Sequence, residues 1–184
     1  MKLLYYIWLG SKLPAESVSP KTLLEYYNCD VEKIYNATEE DYKKLNISGG
    51  DIKRLSDKDL TDAKRYYTYC AKERIGILCY DSSYYPQRLK NTETPPPMFY
   101  YKGRIEMLDD YPCFAMVGTR GCSENGCRTA YRMGYEAACR GAIAVNGIAT
   151  GIDAAVLRGA LDGDGYVVVF LGSGIDKIYP PENE

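Results

Sequence analysis

The chain has 184 residues, of which 46% are hydrophobic, so it is long enough to bury one medium-sized core or two small ones. Its 23 basic and 25 acidic residues nearly balance, which excludes the broad positive field of a protein built to coat nucleic acid. The sequence contains no histidine, which excludes imidazole-based triads and the common zinc-ligand sets.

Residues 1–74 are predicted to form a small helical module. The initial run MKLLYYIWLG is too short to span a bilayer and lacks a signal-peptide cleavage pattern, so we expect no membrane association. It reads instead as a first helix that packs four side chains into a core: Leu3, Leu4, Ile7 and Trp8. Further helices are predicted over TLLEYYN, DVEKIYNA and TEEDYKKLN, and a longer one over residues 57–74.

Two pairs in this module have the pattern of a helix N-cap followed by an acid in the first turn. They are Thr38 with Asp41, and Ser56 with Asp59. The seven cysteines include no C-x-x-C pair, and an odd number makes a poor disulfide framework. We therefore expect reduced thiols in a cytoplasmic protein, with a cluster site at Cys122 and Cys127 as a lesser alternative.

Residues 75–110 are predicted to be a lead-in segment between the module and a second domain. IGILCY reads as a short strand, and MFYYKG adds another. The prolines at 95–97 exclude a helix or a central strand at that point, so we expect an extended segment laid across a surface.

Residues 111–184 alternate strands, glycine loops and helices. The predicted strands are CFAMV, AIAVN and YVVVFLG, and the helices between them are NGCRTAYRMGYEAACR and AAVLRGAL. The first of these helices has an apolar stripe at helical spacing: Cys127, Ala130, Tyr131, Gly134, Ala137 and Ala138. Such alternation predicts a parallel sheet, half of a doubly wound α/β domain. Because only three strands are present, we expect a truncated sheet.

Each predicted strand is followed by a glycine-containing loop: GTRGCSENG, NGIATGID and GSGID. Such loops gather at the carboxyl edge of a parallel sheet, where backbone amides and a helix N-terminus can hold phosphate. Arg120 could add a bidentate contact, and Thr119 and Ser123 could donate from their hydroxyls. The alternative is that Gly118 and Gly126 only permit a tight turn and close packing, with Arg120 solvated.

Two acidic residues of these loops have more than one interpretation. Asp153 could be a catalytic acid or accept from a sugar hydroxyl, but a capping carboxylate that fixes the loop is the favoured interpretation. Asp176 has the same ambiguity. With no histidine and no G-x-S-x-G, the sequence offers little support for a hydrolase.

The ordered motifs resemble those of the DNA-processing protein A family (DprA, also called Smf). The matching stretches are MVGTR at 116–120 with Ser123 and Gly126, GIATGID at 147–153, RGAL at 158–161, GSGID at 172–176, and Tyr179-Pro180 with Asn183. Upstream, Asp81, Tyr85-Pro86, Leu89, Pro97, Tyr100 and Gly103 are similar to the family's lead-in. The helical start is similar to the family's SAM-like module.

This resemblance implies a non-enzymatic protein with an extended Rossmann-like fold and no cofactor or metal. The family binds and protects single-stranded DNA, loads RecA recombinase during natural transformation, and forms homodimers at full length. The implied DNA- and phosphate-binding residues are Gly118, Thr119, Arg120, Ser123, Gly126, Asn146, Gly147, Ala149, Thr150, Gly151, Asp153, Gly172, Ser173 and Gly174.

The sequence departs from the family pattern at three places. Asn146 stands where serine is usual, Thr150 where a basic residue is common, and Val156-Leu157 where the family has Ala-His. One alternative is a nucleotide-processing enzyme related to phosphoribohydrolases, although their PGGxGTxxE-type motif is absent from these residues. Another is an interaction module with vestigial loops, which Thr150 and Leu157 favour.

Overall fold

The computed structural model describes residues 1–183, which fall into two compact units. The first unit is Met1–Arg104, and the second begins at Ile105. Helices fill most of the first unit, and a parallel three-stranded sheet lies in the second. The predicted fold class, an α/β Rossmann-like sheet preceded by a helical module, is thereby confirmed.

The first unit contains seven helices and a two-stranded antiparallel sheet. The helices are α1 (Lys2–Lys12), α2 (Ser19–Tyr26), α3 (Val31–Asn36), α4 (Glu39–Lys44), α5 (Gly49–Leu55), α6 (Thr61–Lys72) and α7 (Gln87–Lys90). Strands β1 (Gly76–Cys79) and β2 (Met98–Tyr101) pair antiparallel, with Gly76 opposite Tyr101. Neither α5 nor α7 is among the predicted helices.

Helix α1 lies at the centre of this unit. Five consecutive residues from Tyr5 to Leu9 are buried, so the helix is enclosed on most sides. The prediction that Ile7 and Trp8 enter the core is confirmed, whereas Leu3 is 36% exposed and Leu4 is half-buried. The Trp8 indole N–H donates to the Asp57 carbonyl at 2.9 Å, which satisfies its buried polar atom.

The two predicted helix caps have opposite outcomes. Thr38 and Asp41 form a complete capping box at α4, and the hydrogen bond from Thr38 lowers the pKa of the Asp41 carboxyl to about 2. The prediction for Ser56 is wrong, because Ser56 ends α5 and donates its hydroxyl to the Ile52 carbonyl instead. Helix α6 accordingly begins at Thr61 rather than at 57.

The lead-in segment is partly extended and partly helical. Tyr85 is fully buried, and its hydroxyl donates to the Pro96 carbonyl at 2.7 Å. The Tyr80 amide donates to the Pro97 carbonyl at 3.0 Å, so the proline stretch lies against the end of β1. The expectation of a helix-free proline stretch is confirmed, but α7 shows that the segment is not extended throughout.

The second unit is a parallel sheet of strands β3 (Cys113–Ala115), β4 (Ile143–Asn146) and β5 (Val167–Val169), in that order. Cys113 lies opposite Ile143, and Ala144 lies opposite Val167. Helix α8 (Glu124–Ala138) connects the first two strands, and α9 (Ile152–Asp162) connects the second and third. Consecutive parallel strands joined by crossover helices are the arrangement that the sequence pattern predicted.

Helices α8 and α9 approach each other closely at two glycines. A Cβ added at Gly134 would lie 2.2 Å from the Val156 carbonyl oxygen, and one at Gly159 would lie 2.0 Å from the Tyr131 carbonyl oxygen. The core beneath them is built from six buried residues: Ala130, Ala138, Ala144, Val156, Leu157 and Ala160. Small side chains therefore set the short distance between the two helices.

Among residues 1–183, no helix combines the length and the hydropathy needed to cross a membrane. Within the same range, no group of three or more cysteine and acidic side chains is arranged to hold a metal ion.

We expect Gly134→Ala to lower the free energy of unfolding of the second unit by about 2 kcal/mol, because α8 and α9 must move apart to admit the methyl group. Urea unfolding followed by circular dichroism would measure the change. Gly172→Ala is the control, because nothing lies within 4 Å of a Cβ at that position. Equal stability of the two variants would contradict the close helix contact.

A second prediction concerns Lys58, whose ammonium lies 4.9 Å from the Trp8 ring centroid and 2.8 Å from the Tyr42 hydroxyl. Burial lowers the pKa of Lys58 to about 8 from its usual value near 10.5. A folded pKa below the unfolded one means that the unfolded chain binds the extra proton, so stability from this group rises with pH between these values.

We therefore expect the wild-type protein to gain stability relative to Lys58→Met as the pH rises from 8 to 10. The comparison with Lys58→Met separates this effect from the titration of the many tyrosines. Thermal unfolding of both proteins at intervals across this range would measure it, and a constant difference would show that Lys58 does not titrate there.

Candidate functional site

Three loops follow the carboxyl ends of the parallel strands. The first loop, residues 116–123, leads from β3 into α8. The second loop, residues 147–151, leads from β4 into α9, and the third loop, residues 170–175, follows β5. Because the strands are parallel, all three loops leave the same edge of the sheet, which is where ligands bind in open α/β sheets.

The first loop presents an exposed Gly118-Thr119-Arg120 sequence. Gly118 is required for packing, because a Cβ there would lie 2.7 Å from the Cβ of Ile152. Ser123 is the N-cap of α8, and its hydroxyl oxygen accepts from the Gly126 amide at 3.1 Å. The Ser123 hydroxyl keeps its own proton to donate, whereas the Gly126 amide is used within the protein.

The second loop is held from below by a buried amide side chain. Asn146 donates from Nδ2 to the Asp153 carbonyl at 3.0 Å and to the Met116 carbonyl at 3.3 Å. Its Oδ1 accepts from the Ile148 amide at 2.9 Å. Ile148 has a φ of +58°, a left-handed conformation that is rare for a β-branched residue, and its carbonyl accepts from Nδ2 of Asn183 at 2.8 Å.

The first and second loops are joined directly to each other. Oδ1 of the buried Asp153 accepts from the Gly118 amide at 3.1 Å, and the Ile152 amide donates to the Thr119 carbonyl at 3.3 Å. Gly151, with a φ of +81°, would bring a Cβ to 2.3 Å from the Thr119 carbonyl oxygen. The two loops therefore form one continuous surface, which is called the paired loops below.

Asp153 fixes this surface in a way that the capping interpretation did not describe. The N-cap of α9 is Gly151, which forms no side-chain capping bond, and Asp153 lies in the first turn of the helix. Its carboxylate reaches the neighbouring loop rather than its own helix end. The interpretation of Asp153 as a cap of its own helix is therefore wrong, because its hydrogen-bond partner is the Gly118 amide of the first loop. Asp153 does fix a loop, as that interpretation expected.

The exposed part of the paired loops has binding capacity that the protein does not use. Among residues 1–183, Arg120, Gly147 and Thr150 make no hydrogen bond or ion pair with another residue. Arg120 and Gly147 are exposed, and Thr150 is half-buried beside Ala149 and Gly151. A guanidinium, backbone amides and a hydroxyl on one surface are suited to an oxyanion such as a phosphate.

The start of the third loop is bonded to Asn146, the last residue of β4, directly before the second loop. The Phe170 amide donates to the Asn146 carbonyl at 3.0 Å, which extends the ladder between β4 and β5. Beyond this bond, Gly172, Ser173 and Gly174 are exposed, and the Ser173 hydroxyl donates to the Lys177 carbonyl within the same turn. The structure thus places the third loop at the same edge, with its serine hydroxyl engaged locally.

The predicted site residues are buried, half-buried or exposed in the structure, and the half-buried ones are Gly126, Ala149, Thr150 and Gly151. Asn146 and Asp153 are buried at 6% and 5% exposure and hold the loops from behind. The exposed group includes Gly118, Thr119, Arg120, Ser123 and Gly147. The supporting contacts of Ile148 and Ile152 were missed, because a positive φ at isoleucine and a contact between distant loops leave no local sequence signal.

The expectation of reduced thiols is wrong for one pair. Cys122 and Cys127 are joined by a disulfide, with their Cα atoms 6.0 Å apart. The other five cysteines are free: Cys29, Cys70, Cys79, Cys113 and Cys139. The disulfide lies where the first loop enters α8, at the border of the paired loops.

Three comparisons with known proteins bear on this site. The chain is 36% identical over 106 residues to Protein Smf of Synechocystis sp., a match that covers 56% of the chain and 27% of that protein. It is 33% identical over 102 residues to DNA processing protein DprA of Streptococcus pneumoniae, covering 54% of the chain and 35% of the relative. The chain thus spans about a third of the length of these curated relatives.

The fold has a close likeness among solved structures. The X-ray structure of DNA processing protein A (DprA) from Streptococcus pneumoniae superposes with a TM-score of 0.77 at 24% identity. The match covers 98% of this chain and 62% of that one, and it is a likeness of fold. The family model for DNA recombination-mediator protein A matches residues 76–184. Because that match includes more than half of the chain and all three loops, the chain belongs to the DNA recombination-mediator protein A family.

Proposed function

We propose that the chain binds single-stranded DNA through its phosphates and acts in DNA processing during recombination, without catalysing a reaction. The observation that carries this proposal is the surface of the paired loops, where Arg120 and the amides of Gly147 and Thr150 have no hydrogen-bond or ion-pair partner within residues 1–183. Membership of a family named for recombination mediation supports it, as do relatives named DNA processing proteins.

Phosphate rather than base contacts explain the composition of this surface. Arg120 provides one positive charge, and Thr119 and Ser123 provide hydroxyls. The glycines let a DNA strand come close to the protein backbone. Such contacts carry little sequence preference. Because basic and acidic residues nearly balance over the whole chain, we expect binding to rest on a few local contacts rather than on a broad field.

Asn146 and Asp153 take a positioning role in this proposal. Both are buried, and both use their side chains on the backbone of the paired loops. The third loop would extend the same track along the sheet edge through Gly172, Ser173 and Gly174. We infer that the chain works in the cytoplasm with a RecA-type recombinase as its partner. We also infer that the full-length form of the protein is a homodimer.

The first test is the affinity of a fluorescently labelled oligo-dT across a salt series. We expect Arg120→Ala to weaken binding about tenfold or more, because a charge-assisted contact to phosphate is lost. We also expect the slope of log affinity against log salt to fall by about 0.7, the contribution of one phosphate contact on a single strand.

Arg132→Ala is the matched control for this test. Arg132 is also exposed, but it lies on α8 nine residues after the N-cap, about 13 Å along the helix. Equal losses from both substitutions would indicate a non-specific charge effect and contradict a site at the paired loops. Release of free base from nucleoside monophosphates by the wild-type protein would favour the phosphoribohydrolase-like alternative instead.

A second prediction separates positioning from contact at Asp153. Asp153→Asn keeps an oxygen that can accept from the Gly118 amide, whereas Asp153→Ala leaves that amide without its partner. We expect Asp153→Ala to lower the free energy of unfolding by about 1–3 kcal/mol and to weaken DNA binding. Asp153→Asn should retain most of both, as measured by thermal unfolding and the same oligo-dT titration. Similar losses in the two variants would contradict a role based on that hydrogen bond.

A further inference from the structure

The disulfide between Cys122 and Cys127 occupies a defined position relative to α8. Ser123 is the N-cap, so Cys122 is the residue immediately before the cap and Cys127 is the fourth residue of the helix. In many helices these two positions hold a pair of hydrophobic side chains that pack together and fix the angle at which the chain enters the helix. In this chain, the two side chains that meet there are cysteines, and they are joined by the disulfide.

We propose that Cys122 and Cys127 form a redox-reversible modification site that stiffens the first loop when it is oxidised. Its effect on DNA binding rests on the proposed function, but its effect on the loop does not. Both residues are half-buried, so small thiols and disulfides can reach the sulfur atoms. The bond closes a ring of only six residues, so it restricts the unfolded chain less than a long-range disulfide does.

The reaction is an exchange with a small-molecule disulfide such as oxidised glutathione. One protein thiolate attacks a sulfur of the small disulfide, forming a mixed disulfide and releasing one small thiol. The second protein thiolate then attacks the protein sulfur of the mixed disulfide and releases the second small thiol. Two protein thiols are oxidised to one disulfide, the small disulfide is reduced to two thiols, and the two protons pass to those thiols.

The location of Cys122 and Cys127 makes them better suited to this exchange than the other cysteines are. The N-terminal end of a helix stabilises a thiolate through its dipole, and both sulfur atoms lie at the first turn of α8. Cys70 and Cys79 are buried, and burial raises the pKa of the Cys79 thiol to about 12. Cys113 and Cys139 are exposed, but neither is joined to another cysteine of residues 1–183.

The consequence for the paired loops follows from the short distance along the chain. Arg120 lies two residues before Cys122, and the ring encloses the Ser123 cap together with the Gly126 amide that it holds. A covalent link on both sides of this cap limits the directions from which the first loop can approach α8. A loop already held in its binding conformation loses less entropy on binding, so the oxidised form should bind single-stranded DNA more tightly.

The experiment uses the full chain treated with oxidised or reduced glutathione. Intact mass should show the loss of two hydrogens in the wild type, and accumulation of a glutathione adduct in Cys127→Ser, where the second exchange is blocked. Amide hydrogen exchange over residues 119–127 should slow about tenfold on oxidation of the wild type, and oligo-dT affinity should rise about three- to tenfold. Cys139→Ser is the control and should respond like the wild type.

Each outcome separates the two proposals. Faster or unchanged amide exchange on oxidation, or no intramolecular disulfide, would overturn the redox site. Slower exchange with equal DNA affinity in both states would overturn its control of binding while leaving the DNA-binding proposal standing. Slower exchange with no DNA binding in either state would support the redox site and contradict the proposed function.

Discussion

The carboxylate of Asp153 is buried between two loops, and the hydrogen bond that it accepts from the Gly118 amide ties the first loop to the start of α9, directly after the second loop. A buried carboxylate is costly to leave without a partner, so this bond constrains both loops at once. Asn146 adds bonds to the Met116 carbonyl and the Ile148 amide. The exposed residues that can meet a ligand therefore rest on two buried polar side chains.

The packing of α8 against α9 makes this arrangement possible. Gly134 and Gly159 bring the two helix backbones close together, so the helix N-termini emerge side by side at the edge of the sheet. Larger side chains at these positions would separate the helices and, with them, the loops that precede each one. The geometry of the candidate site thus depends on residues in the middle of two helices, well away from the exposed surface.

Much of the second unit could be predicted because its signals are local. The apolar strands and the stripe on α8 with Ala130, Gly134 and Ala138 are patterns within a few residues, as is the capping box of Thr38 in the first unit. The loops could be placed together because parallel strands end at one edge. The remainder depended on contacts between distant residues. Neither the partner of Asp153 nor the pairing of Cys122 with Cys127 follows from spacing alone. Ser56 matches the pattern of an N-cap in the sequence, but in the structure it ends the preceding helix, α5.

The left-handed backbone of Ile148 has a consequence for motion. A β-branched residue at a φ of +58° costs roughly 1–2 kcal/mol. That strain is opposed by two hydrogen bonds, one that the Ile148 amide donates to Oδ1 of Asn146 and one that the Ile148 carbonyl accepts from Nδ2 of Asn183. We expect that the isoleucine would relax to a negative φ if those two bonds broke, which would let the second loop open without unfolding of the sheet. The strain lowers the free energy of that local opening relative to global unfolding, so this loop should fluctuate as a separate unit while the helices behind it stay closed.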